Sequence, residues 1–157
     1  MNWTKQRVSV VKCVTDTAPT TITLGQWLDS VKMGQQDDTP KKMRRALLPH
    51  GVFIGGRTER HRTECSGLVQ FDIDTKHNPD LCRESVKRRA ASDPTIIMVA
   101  NSAGAGCWGL AVRGADLDTQ LNHLESSLGV MLDRCNSRST AALRFMARDA
   151  SPYLNTT

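Results

Sequence analysis

The sequence predicts an α+β protein, with helices packed on one side of a largely antiparallel sheet. Three observations carry this. Apolar runs at 7–14, 95–100 and 107–112, the first two rich in β-branched residues, read as strands. Residues 24–33 and 117–132 place large apolar side chains at helical spacing. The elements then follow one another as strand, helix, strand, strand, helix, strand, strand, helix, strand, leaving aside one short basic helix.

Taken in order, residues 7–14 form the first strand, and residues 15–21, which include Pro19, break it. Thr23 is placed to cap a helix over residues 24–33, on which Leu24, Trp27, Leu28 and Val31 share a face and Gly34 supplies a stop. Residues 35–39 read as a polar connection. Pro40 opens a short basic helix through Leu47, which Pro49 ends. Residues 51–55 read as the second strand, and the arginine-rich run 56–64 as a hairpin-type loop leading into an acidic strand within residues 66–76.

A turn at Asn78, Pro79 and Asp80 introduces a helix whose apolar stripe is thin and whose cations gather at the C-terminal end, where the helix dipole favours them. Asp93 and Pro94 close it. Residues 95–100 are continuous enough to be buried on both faces, and a glycine-containing link at 101–106 leads to the apolar run 107–112. Asp116 or Asp118 caps the last long helix, whose stripe is Leu117, Leu121, Leu124, Leu128, Met131 and Leu132, with His123 facing solvent. Residues 136–140 read as a loop, 142–147 as a final strand and the remainder as a surface tail.

A chain of 157 residues has room for one domain, 1–157, with a real core. With 21 Lys+Arg against 16 Asp+Glu the formal charge is +5, a balance that suits a polyanionic partner. Lys41, Lys42, Arg44, Arg45, Arg57, Arg60 and Arg62 precede the acidic strand, and Lys87, Arg88 and Arg89 follow it, so together they could line a groove for nucleic acid. The five cysteines are far apart and show neither zinc-ligand spacing nor a disulfide framework, which fits reduced thiols. Nothing in the sequence resembles a signal-peptide core or an apolar run of membrane-spanning length, so a soluble cytoplasmic protein is expected, with no membrane partner.

Chemistry concentrates at the end of the acidic strand. Side chains alternate along a strand, so Asp72 and Asp74 point to one face while Ile73 turns into the core. Two carboxylates this close repel unless a cation lies between their oxygens; the alternative is a polar strand end entering a turn. The link at 101–106 joins two strands, so it is neither a dinucleotide fingerprint nor a P-loop. It is a tight hairpin, or else Gly104 and Gly106 leave amides bare to cradle a phosphate. Asp133 and Asp149 are both candidates for the third carboxylate of a two-metal site. Arg144 and Arg148 share a face from which a guanidinium could neutralise phosphate oxygens.

The segment Ser-Gly-Leu-Val-Gln-Phe-Asp-Ile-Asp-Thr-Lys at 66–76, the link at 101–106 between strands, Asp133, and the run Leu-Arg-Phe-Met-Ala-Arg-Asp at 143–149 with Tyr153 and Asn155 resemble the archaeo-eukaryotic primase superfamily. The resemblance is to its primase-polymerase domains of phages and mobile elements, grouped with the VirE N-terminal-like branch, and it runs from the first strand to the tail. It implies an RRM-like catalytic sheet, Mg²⁺ or Mn²⁺ held by Asp72, Asp74 and Asp133, and nucleotide contacts from Ser102, Gly104, Gly106, Trp108 and Arg144. It also implies nucleotidyl transfer from nucleoside triphosphates on a single-stranded DNA template, in a bacterial host cell and alongside a separate helicase or other replication protein. Two positions depart from the family pattern: Trp108 stands where many members have His or Lys, and Ala103 where a serine is usual. The rival readings are a nucleic-acid-binding module on the same fold that does no catalysis, and a metal-dependent nuclease.

Overall fold

The computed structural model describes residues 2–34 and 39–155, and it is α+β with antiparallel sheets. In chain order the elements are β1 (Arg7–Val11), β2 (Thr20–Thr23), α1 (Leu24–Met33), β3 (Ala46–Leu48), β4 (Gly51–Phe53), β5 (Arg62–Cys65), β6 (Leu68–Ile73) and α2 (Arg83–Ala90). They continue with β7 (Ile96–Asn101), β8 (Cys107–Val112), α3 (Leu117–Leu128), α4 (Arg134–Arg138), β9 (Arg144–Phe145) and β10 (Tyr153–Leu154). The strands form a sheet ordered β2-β1-β3-β9, a second ordered β10-β7-β8-β6 and a small β4-β5 pair.

The β10-β7-β8-β6 sheet is apolar on both faces, and its period-two alternation decides what each face meets. Val69, Phe71 and Ile73 of β6, with Cys107 and Ala111 of β8, pack against Val86 of α2 and against Leu121, Leu124 and Leu128 of α3. On the opposite face Leu68, Ile97, Met98, Trp108 and Leu110 meet Val8 and Val10 of β1, Leu47 of β3 and the apolar stripe of α1. The molecule is therefore layered: α2 and α3, the central sheet, then α1 and the first sheet. Asp72 stands on the second of these faces, one register step from the core.

Helix α1 starts where expected, because Thr23 and Gln26 form a reciprocal capping box: Gln26 N–H donates to Thr23 Oγ1 at 3.2 Å, and Thr23 N–H donates to Gln26 Oε1 at 2.8 Å. A cap of this kind is worth about 1 kcal/mol. Trp27 is fully buried on the stripe with Leu24, Leu28 and Val31, each contributing roughly 1.5–3 kcal/mol of apolar burial. Helix α3 is capped by Asp116, which accepts from Thr119 N–H at 2.6 Å, and it ends at Gly129, whose φ of 63° closes the helix in the left-handed region. The stripe stops there too, since Met131 is exposed while Leu132 packs inward. His123 faces solvent on one side and contacts the Asp93 carboxylate at 2.9 Å on the other.

Several elements differ from the sequence expectation. The basic helix through Leu47 is a short 3₁₀ turn, Lys41–Met43, followed by β3, because Ala46, Leu47 and Leu48 gain more by pairing with β1 than their helix propensity offers. Residues 20–21, expected as part of a break, belong to β2. The arginine-rich loop contains β5, which returns against β4. The expected loop at 136–140 begins inside α4, and the final strand contracts to the pair in β9. The tail is no free surface segment, for β10 pairs with β7. The polar connection at 35–38 lies outside the described residues. No helix among the described residues is long and apolar enough to cross a membrane.

Candidate active site

Strand β6 carries Asp72 and ends at Ile73, with Asp74 directly after it: Ile73 is fully buried against α2 and α3, while both aspartates line a small pocket. The pocket has a volume of about 130 Å³. Its wall also contains Ser102, Gly104, Gly106, Trp108 and Arg144, so the β7–β8 hairpin and β9 converge on the acidic pair. Asp72 sits opposite Trp108 in the β6–β8 ladder, and Trp108 opposite Ala100 in β7–β8, which puts the hairpin's base beside the carboxylates.

Asp133 lies next to this pocket without lining it. It follows α3 and is the N-cap of α4, its carboxylate accepting from Asn136 N–H at 3.1 Å. Helix α4 is docked on β6 through backbone polar groups: Asp133 N–H donates to Asp72 O at 2.8 Å, while Ser137 Oγ accepts from Asp72 N–H at 3.1 Å and donates to Asp133 O at 2.7 Å. Asn136 bridges the two acids, donating to Asp133 Oδ2 at 2.9 Å and lying 3.5 Å from Asp72 Oδ2. Sequence reasoning missed Asn136. An Asp followed three residues later by a polar side chain before a short helix is an N-cap signal that could have found it.

Arg144 reaches the site from β9, whose register with Leu47 of β3 points the guanidinium towards the central sheet. Nη1 contacts Asp72 Oδ1 at 3.1 Å and Nε donates to Gln70 Oε1 at 2.6 Å, so Gln70 and Asp72, two residues apart on one face of β6, grip the same side chain. The guanidinium stacks over Trp108, 5.8 Å from the ring centroid. Trp108 is 3 % exposed, so it serves as the apolar floor under Arg144 as well as a pocket wall. Burial pulls the Arg144 pKa below its ordinary value, and the charges of Asp72 and Asp133 oppose that. Nη2 is buried and has no partner among the described residues.

The hairpin at 102–106 is closed by Ser102 N–H donating to Gly106 O at 3.1 Å. Gly106 is there for space, since a Cβ would come within 2.2 Å of Ile73 O. Gly104 stands in the open, with its N–H 3.3 Å from Ser102 Oγ. Arg83 of α2 holds the loop from outside, Nε donating to Ala105 O at 2.8 Å and Nη2 to Gly104 O at 2.6 Å. Two carbonyls are thus turned to Arg83, a cation the sequence reading left out because it stands apart from the basic cluster further along α2.

Asp149, the alternative third carboxylate, has a different role. It is buried at 3 % exposure, and Lys87 Nζ lies 2.9 Å from Oδ2 and 3.0 Å from Oδ1. Oδ2 also accepts from Asn101 N–H at 2.9 Å and Oδ1 from Ser151 N–H at 3.1 Å. Its oxygens are committed to fastening the C-terminal segment to α2 and to the base of the hairpin.

Carboxylate oxygens suit a hard divalent cation such as Mg²⁺ or Mn²⁺. Among the described residues no group of three or more His, Cys, Asp or Glu side chains is placed to hold one ion. A pair of acids still fits Mg²⁺, which usually takes one or two carboxylates and completes its shell with water and substrate phosphates. Asp72 and Asp74 are such a pair, beside a hairpin of small residues. Compared with known proteins, the chain matches no family model, no curated protein and no solved structure.

Proposed function

We propose that this chain is a metal-dependent nucleotidyltransferase, a DNA primase-polymerase of the archaeo-eukaryotic primase type serving replication of a phage or mobile element. The observation that carries the reading is the convergence of Asp72, Asp74, the 102–106 hairpin and Arg144 on one pocket. In this reading Asp72 and Asp74 hold Mg²⁺ or Mn²⁺, and Asp133 is the third carboxylate, standing one Asn136 amide away from Asp72. The metal, when bound, lowers the pKa of an attacking hydroxyl and neutralises charge on the leaving phosphates.

The chain's own residues supply position and charge. Arg144, fixed by Gln70 and Asp72 and floored by Trp108, lends the pocket wall a positive charge that balances phosphate oxygens. Arg83 orders the hairpin through the Ala105 and Gly104 carbonyls, and the exposed Gly104 amide meets an anion by exchanging Ser102 Oγ for it. The template is single-stranded DNA and the co-substrates are nucleoside triphosphates. The test is incubation with Mn²⁺ or Mg²⁺, labelled nucleotides and single-stranded DNA. Extension by the wild type that disappears in Asp72→Asn and in Asp74→Asn supports the reading; strand shortening points to a nuclease instead.

One observation favours a second reading, a nucleic-acid-binding module without catalysis: Asp72 Oδ1 is already occupied by Arg144. Salt-sensitive DNA binding with no metal-dependent product is the result that reading expects.

A further inference from the structure

A second, larger concavity adjoins the acidic pocket, with a volume of about 1120 Å³. It runs between the 3₁₀ turn Lys41–Met43, the start of the 102–106 hairpin and the chain that follows β9. Lys41, Arg44, Arg45, Arg83 and Arg148 line it, and no carboxylate does so among the described residues. Arg45 and Arg148 are exposed and have no ion-pair partner among the described residues. Their walls are joined directly, because Met146 N–H donates to Arg45 O at 2.8 Å. Between the cations lie the apolar surfaces of Pro40, Met43, Met146 and Ala147.

We infer that this groove is the seat of a single nucleic-acid strand, held by its phosphates and delivered to the acidic pocket. Lys41, Ser102, Ala103 and Gly104 line both cavities, so a strand lying in the groove ends beside Asp72 and Asp74. Exposed cations such as Arg45 and Arg148, with no ion-pair partner among the described residues, suit a phosphodiester backbone, whose binding releases condensed counterions. The groove has no aromatic side chain among its lining residues, so it lacks a stacking platform, and recognition is by backbone charge with little sequence preference. The choice of a nucleic-acid strand over another polyanion rests on the nucleotidyl transfer proposed for the neighbouring pocket; the cationic lining does not.

The test is fluorescence anisotropy with an end-labelled oligothymidine strand, in EDTA and without nucleotide, across a salt series. The wild type is compared with the Arg45→Gln/Arg148→Gln double variant and with a Lys5→Gln/Arg113→Gln control, exposed cations outside the groove. All four side chains are at the surface, so thermal melts of the variants match the wild type. The groove variant is expected to bind about tenfold or more weaker near physiological salt, with its log–log salt slope flatter by about 1.4, from about 0.7 per lost phosphate contact. The control is expected to change neither. Equal weakening in both variants, binding to duplex as tight as to single strand, displacement by polyglutamate at equal charge, or no binding by the wild type would each overturn the inference. EDTA stops metal-dependent transfer, so strand binding that persists in a protein with no transfer activity overturns the proposed function alone.

Discussion

Arg144 Nη1 lies 3.1 Å from Asp72 Oδ1, so an ion pair ties β9 of the first sheet to the acidic strand of the second. Both partners are largely buried, with side-chain exposures of 8 % and 17 %. Removing one partner strands the other in a place with little water. Arg144→Met is therefore expected to destabilise the fold by roughly 3–5 kcal/mol. In a double-mutant cycle with Asp72→Asn, the second substitution should add much less than it costs alone, with a coupling of about 1–3 kcal/mol in urea unfolding. Additive effects would mean that the pair is not formed.

Asp149 and Lys87 make a second buried pair, at the base of the 102–106 hairpin. Lys87→Met leaves the Asp149 carboxylate without its cation and should cost roughly 3–5 kcal/mol in urea unfolding. Asp149→Asn should lower stability while leaving Mn²⁺ affinity, measured by titration calorimetry, at the wild-type value. Asp72→Asn should weaken that affinity by about tenfold or more. Loss of Mn²⁺ binding in Asp149→Asn would return Asp149 to the ligand set.

His50 couples stability to pH. It is 2 % exposed, with both ring nitrogens unpartnered among the described residues, and burial, reinforced by Arg62, Arg113 and Arg144, lowers its pKa from 6.5 to about 4. The unfolded chain takes up this proton first on acidification. The contribution is full above pH 6.5 and is lost as pH falls towards about 4, to the extent of roughly 3 kcal/mol. Urea unfolding across that range should show stability falling with pH, and His50→Gln should flatten the curve. An unchanged slope in His50→Gln would assign the effect to other groups.

The two hairpin glycines should respond differently to the same substitution. In Gly106→Ala the new methyl meets Ile73 O at 2.2 Å, so the β6–β8 junction must shift. A loss of roughly 1–3 kcal/mol in thermal or urea unfolding is expected. Gly104→Ala meets nothing closer than Ser102 Oγ at 4.0 Å and should change stability by less than about 0.5 kcal/mol.

What the sequence disclosed about the site was local. Alternation in β6 separates Asp72 and Asp74 from Ile73, and a link with strand-forming runs on both sides has to be a hairpin. Helices α1 and α3 were equally plain, because Leu, Trp and Val at helical spacing behind Thr23 or Asp116 leave little alternative. What stayed hidden depends on distant partners. Ala46, Leu47 and Leu48 form a strand only because β1 and β9 flank them. Asp149 resembles a surface carboxylate until Lys87, 62 residues earlier, is folded against it. The grip of Gln70 on Arg144 spans 74 residues, which no local pattern reports.

The most direct test of nucleotidyl transfer at Asp72 and Asp74 is nucleotide incorporation on single-stranded DNA with Mn²⁺, comparing the wild type with Asp72→Asn and Asp74→Asn. Extension products are expected from the wild type and none from either variant, with both variants remaining folded by circular dichroism. A wild-type protein that binds Mn²⁺ and DNA yet extends nothing, or variants that extend as well as the wild type, would contradict it.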